Sequence, residues 1–537
     1  MKKLLFALLV CGVFALPALA DEGMHHEDLT TAQVGTVNFP TSCAVSVQRP
    51  FERGVALLHS FWYEEALKEF ESIAKDDPKC AMAYWGIAMS RWHQLWNHPE
   101  ADVVKTGMAD IKAGEALHPK TQRESDYLAA LGTFYSESEK KDYQASATAY
   151  SDAMERLHAK YPDDHEAAIF YALSLLASEP DNDTTFANRK KAVAVLEPLF
   201  AAQPDHPGVA HYLIHSYDKP QLAQLGLPAA ERYAKIAPAA PHALHMPSHI
   251  FARLGLWQDD IQSNLASVAA TRKTAAMHMG GEGHQFHAMD FLVYAYLQCG
   301  KEADAMKIIE EVRAMPTMKN DMYGSDYDPR TNALSTFPAN YDLELHHWSD
   351  AAALKPVPGA HSGDDAYVYY ARAIGAARSG NANQAAQDIA HLDAIHKTVV
   401  ERKNTELAEA IADEQKVAQA WLDHAQGKDE QAVAALRAEA EKEEATGDEP
   451  GSIPAREMLG DLLVDMKRPE PALAEYETDL KFNPNRFDGL YGAAQASEMA
   501  KNTAKADQYY AQVVKVCQGS NSDRPELMRA KSLLAQK

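Results

Sequence analysis

The feature that most constrains this chain is a 34-residue rhythm in which a small residue, a bulky residue and a proline return at fixed offsets. Counting from Val47, Gly54 stands at position 8, Leu57 at 11, Ala66 at 20, Phe70 at 24 and Pro78 at 32. Ala192, Leu196 and Pro204 occupy offsets 20, 24 and 32 again, as do Ala472, Tyr476 and Pro484. Ala506 and Tyr510 follow Ala472 and Tyr476 by a further 34 residues. A small residue lets two helices cross closely, the bulky one fills the space behind it, and the proline closes the unit. A period of this length marks helical hairpins that bury their apolar faces on one another. A second unit opens at Ala81 with AMAYWGIAMSRWHQLW and carries an insertion through residue 120, and weaker units surround Ala305, Ala351, Ala385 and Ala432. The expected fold class is therefore all-α, an α-solenoid of eleven or twelve hairpins curled into a superhelix. The length of 537 residues suits such an array better than one core.

These motifs resemble the tetratricopeptide repeat (TPR) family over most of residues 47–520, and the whole looks like a secreted bacterial member. The resemblance implies a non-enzymatic scaffold that binds a protein or peptide partner in its concave groove. Family members that grip a terminal carboxylate carry Lys and Asn at positions 5 and 9 of the first unit. Phe51 and Val55 stand there in this chain, so that mode is not expected.

Residues 1–20, MKKLLFALLVCGVFALPALA, have the basic start, apolar run and small-residue end of a secretory leader, with cleavage near Ala20. A periplasmic or secreted location follows, and no later stretch is apolar enough to span a membrane. The expected organisation is a leader (1–20), an N-terminal extension (21–46) and a first array with a His-rich groove (47–314). A loop (315–332), a middle array (333–440), an acidic solvated loop (441–452) and a C-terminal pair with cap (453–537) follow. Four cysteines remain beyond the leader, leaving three full pairings open. Cys43 and Cys80 both precede the first helices of adjacent hairpins, and a disulfide between them is expected. With 52 basic and 76 acidic residues the net charge is −24, which speaks against nucleic acid as a partner.

In the family, positions 2, 5, 9, 12 and 13 of each first helix face the groove. That frame places His59 and His93 at position 13 of two successive units, with Trp85, Met89 and Trp92 beside them as a partner-binding wall. Asp218 and Tyr294 join this groove set. Further on, His211, His242 and His287 fall at position 2 of three units, and His245 and Asp290 at position 5. Spacings 211/215, 245/248 and 284/287 put two side chains on one helical face. The candidate metal set is thus His211, His215, His242, His245, position 248, His284, His287 and Asp290. Imidazole favours zinc or copper, and Met246, Met277, Met279 and Met289 nearby would suit copper. A transition-metal or haem protein is the alternative function, although the CxxCH that would attach haem covalently is missing. HExxH, GxSxG, a Walker loop and CxxC are missing too, so no catalytic residue is assigned and a metal-dependent hydrolase is the third reading.

Overall fold

The computed structural model describes residues 29–536 apart from 96–97, 139–141, 181, 317–327 and 448–449. The expected leader lies outside the described residues. Among the described residues the helices pair antiparallel into twelve hairpins, from Gln48–His59 with Tyr63–Asp76 to Phe487–Met499 with Thr503–Val516, and Pro525–Ala535 caps the last. The described residues contain no strand. The chain is a TPR-type helical solenoid.

The periodic positions do the packing that their chemistry predicts. A Cβ at Gly54 or Gly86 would stand only 2.8 or 2.3 Å from the Phe70 ring, so that ring is clamped between the first helices of two adjacent hairpins. Gly460 and Gly492 clamp Tyr476 in the same way, at 2.6 and 2.3 Å. Ala66, Ala192 and Ala472 are fully buried where paired helices cross. The Cys43–Cys80 disulfide is present, with Cα atoms 4.7 Å apart. It fastens the extension so that the Phe39 ring lies 5.3 Å from Phe51 and 5.4 Å from Trp85.

The expected open wall of the first two units is interior instead. His59, Trp85, Met89 and Trp92 are all buried. Trp92 stacks on Phe134 at 3.6 Å, and His59 stacks on Phe170 at 4.7 Å and meets Tyr212 at 5.6 Å. His93 is half-buried against Tyr63 at 4.4 Å. For His59 the reason is curvature: helices His165–Ala177 and Pro207–Tyr217 bring Phe170 and Tyr212 onto its ring, whereas Trp92 is covered by Phe134 and Tyr150 of the next hairpin.

Two expected loops also differ. Helix Pro329–Glu344 starts inside the 315–332 segment, because the Asp328 carboxylate accepts from the Arg330 N–H and Pro329 suits a first turn. Helix Asp429–Thr446 runs into the acidic 441–452 segment and ends at Gly447, which adopts φ 65°. That end docks on the first array and is not simply solvated. Lys219 Nζ donates to the carbonyls of Thr446 (2.6 Å) and Gly447 (3.1 Å), and Gln221 Nε2 to that of Glu444 (2.7 Å). Carbonyls at a helix C-terminus lack intrahelical donors and carry partial negative charge, so cationic side chains gather there. A second junction lies nearby. Trp257 Nε1 donates to the Asn485 carbonyl at 2.8 Å, and Arg486 donates to Tyr294 Oη at 3.0 Å. Tyr294, expected at a groove surface, is therefore buried between arrays.

Candidate metal centre

Three successive first helices build one histidine cluster. Pro207 and Pro241 occupy first-turn positions where a missing N–H costs nothing, and they start helices Pro207–Tyr217 and Pro241–His245. His211 and His215 lie one turn apart on the former. The second first helix restarts at Pro247 and continues to Arg253, so His242, His245 and His249 share a face across the break. Helix Gly283–Gln298 brings His284 and His287 alongside.

The imidazoles fall into two triads, His211/His215/His242 and His245/His249/His287, each with its ligand atoms within 4.8 Å of one another. His211 Nε2 lies 3.0 Å from His242 Nε2 and 3.1 Å from His215 Nε2, and His245 Nε2 lies 2.9 Å from His249 Nε2. Nitrogens held about 2.0–2.1 Å from one ion at tetrahedral angles stand about 3.3 Å apart, so these spacings are nearly those of ligands.

The opposite ring nitrogens fix the tautomers. His211 Nδ1 donates to the His59 carbonyl at 2.6 Å, a group left without an intrahelical donor at the end of its helix. His245 Nδ1 donates to Asn264 Oδ1 at 2.6 Å, and the Asn264 amide is oriented because its Nδ2 donates to Asp260 Oδ1 at 2.8 Å. His249 Nδ1 donates to Asp218 Oδ2 at 2.9 Å, while Arg253 Nε holds Oδ1 at 2.8 Å. Oxygen acceptors on Nδ1 leave the Nε2 lone pairs pointing inward, as in metal-ligating histidines. Two lone pairs 2.9 Å apart repel unless a cation lies between them. Burial disfavours the proton as that cation: it holds His211, His242 and His245 well below the usual imidazole range and pushes His215 down to about 3. Asp218, which burial alone would raise, is held well below the carboxylate range by Arg253 and His249.

Aromatic rings wall both triads. Phe61 sits at φ 52°, a left-handed conformation that costs a non-glycine residue on the order of 1 kcal/mol and swings its ring over the first triad. It lies 4.4 Å from His211 and 5.4 Å from His242. Phe291 faces His245 at 5.0 Å and His249 at 4.8 Å. His215, His287 and Asp218 are only half-buried, which leaves one side of the cluster as an entry path.

Not every expected ligand takes part. Position 248 is serine: Ser248 Oγ bonds Asn264 Oδ1 at 3.3 Å, and the imidazole of that turn is His249, four residues after His245. His284 lies beside His242, ring centres 5.0 Å apart, outside both triads. Asp290 faces the docked loop, where a Cβ on Gly451 would stand 3.9 Å from its Oδ2. Met246, Met279 and Met289 are buried core residues, and Met277 packs against the core. Sequence spacing missed Asn264, Phe61 and Phe291, whose positions carry no ligand signature. It also missed Glu166, which takes His59 Nε2 at 2.9 Å and His206 Nε2 at 2.8 Å. Burial alone would raise Glu166, but the two imidazoles hold it down to about 2. That group is a hydrogen-bonded support behind the His59 carbonyl. Three imidazoles on one ion would leave a coordination position for water or a small anion, the arrangement that lowers the pKa of a metal-bound water.

No family model matches the chain, and no curated protein matches it in sequence. Among solved structures, the human IFIT1 dimer with m7Gppp-AAAA is similar at 12% identity and TM-score 0.33, over 82% of this chain and 90% of that one. The IFIT1 monomeric mutant with Gppp-AAAA matches at 11% identity and TM-score 0.35, over 88% and 96%. The human IFIT1 dimer with PPP-AAAA gives 12% and 0.36, over 82% and 91%. The likeness is one of helical-repeat fold. These neighbours were solved with m7Gppp-AAAA, Gppp-AAAA and PPP-AAAA, so the expected exclusion of nucleic acid on net charge alone does not stand. Net charge averages over a whole surface and does not report the field of one groove. Among the described residues no helix is long and apolar enough to cross a membrane.

Proposed function

We propose that this protein is an exported metal-binding protein that holds transition-metal ions of the zinc and copper class in its histidine cluster. The observation that carries the reading is the 2.9 Å approach of His245 Nε2 to His249 Nε2 while both Nδ1 atoms face oxygen acceptors. Neutral imidazoles adopt that approach for a shared cation, and a third imidazole, His287, completes a three-nitrogen site. In the first triad His211 Nε2 lies 3.0 Å from His242 Nε2 and 3.1 Å from His215 Nε2, with His211 Nδ1 donating to the His59 carbonyl. All-nitrogen donors fit zinc, copper or nickel better than calcium or magnesium. Export is supported by the leader-like residues 1–20 and by the Cys43–Cys80 disulfide, which persists in oxidising compartments.

Elemental analysis of untagged protein, as purified and after zinc or copper reconstitution, tests the reading. Stoichiometric metal is expected, and the double variant His242→Ala, His245→Ala, which removes one ligand from each triad, should lose it while keeping its helical circular dichroism. Metal-free protein after reconstitution, or unchanged metal in the double variant, overturns the proposal.

A further inference from the structure

The two triads are not separate stations along the array. His242 and His245 belong to different triads yet sit three residues apart on one helical face, ring centres 6.0 Å apart. His215 and His249, also from different triads, are 6.4 Å apart. Within the first triad itself His215 and His242 are 6.3 Å apart, so the gap between triads matches the span inside one. The outer faces are closed by Phe61 on one side and Phe291 on the other. Each triad supplies three nitrogens and leaves coordination positions open. His215 and His287, one from each triad, are both only half-buried.

We infer that the cluster is a dinuclear centre, in which two transition-metal ions, one per triad, face each other closely enough to share one small bridging ligand such as hydroxide. This rests on the metal-binding reading above. In two-metal sites the ions stand about 3.5–4 Å apart and a bridging oxygen occupies the position that the protein leaves open on each. Three neutral imidazoles per ion supply no negative charge to the first shell. A bridging anion supplies it, which makes a small anion the ligand class for this site.

Copper(II) titration with spin-counted electron paramagnetic resonance tests the pairing. The wild-type chain should bind two cluster ions whose integrated signal falls well below two spins, because ions sharing a bridge couple magnetically. His215→Ala and His287→Ala, each removing a half-buried ligand from one triad, should each leave one cluster copper with a full one-spin signal. Two ions with two full, independent spins overturn the pairing and leave metal binding intact, as does a single wild-type ion unaffected by one of the two variants. A signal identical in wild type and both variants places the copper elsewhere on the chain and overturns both readings.

Discussion

His211 donates its Nδ1 proton to the backbone carbonyl of His59, 2.6 Å away and 152 residues earlier in the chain. The first hairpin thereby sets the direction in which a ligand of the fifth hairpin points. Glu166 and Tyr212 hold the His59 ring from both nitrogens, at 2.9 Å each, so the carbonyl that orients the ligand is itself fixed. On the proposed metal-binding function, metal affinity and solenoid closure are coupled through that contact.

Asn264 does for His245 what the His59 carbonyl does for His211. Asn264→Leu removes the Nδ1 acceptor, frees the ring tautomer and should weaken metal affinity about 10- to 100-fold, the usual cost of losing such a partner. Competition against a chelator measures it, with circular dichroism confirming the helices. Wild-type affinity would mean that Asn264 does not set the tautomer.

Arg486 is fully buried and donates to Glu457 and Glu344, each at 2.9 Å, at the junction of the arrays. Arg486→Met leaves two carboxylates buried without their cation and should cost about 3–5 kcal/mol. Urea denaturation should show an early loss of the C-terminal hairpins. Adding Glu344→Gln and Glu457→Gln should recover much of that loss.

Ala472 is fully buried where Pro469–Phe482 crosses its neighbour. Ala472→Phe should force the hairpin open at a cost of about 1–3 kcal/mol. A variant that melts like wild type would contradict the repeat frame.

Burial, with Asp413 adding repulsion, pushes the Glu414 carboxyl up to about 8. The native state then holds a proton that the unfolded chain releases near the ordinary glutamate value of about 4.3. Between these limits the unfolded state binds fewer protons than the native one, so stability falls as pH rises toward 8. Glu414→Gln should flatten this decline and be more stable than wild type at pH 8. Chemical denaturation at pH 5 and pH 8 compares the two slopes, and equal slopes would reject the assignment.

The sequence by itself determined the repeat. Gly54, Ala66 and Phe70 recur at fixed offsets because each hairpin must solve the same packing problem, and that problem is local enough to be written in 34 residues. It also aligned His211, His242 and His287, since equal offsets in stacked units fall side by side, and it paired Cys43 with Cys80 through the ends of neighbouring hairpins. Only the tertiary structure decided which face of those units is open. Trp85 and Trp92 have the spacing of groove residues, yet Phe39 of the N-terminal extension lies against Trp85, and Phe134 and Tyr150 of the next hairpin cover Trp92. The direction of each imidazole was likewise decided by partners far along the chain: the His59 carbonyl, Asn264 and Asp218. A hydrogen bond between hairpins depends on the rotation of one unit against another, and no periodicity within a unit records that rotation.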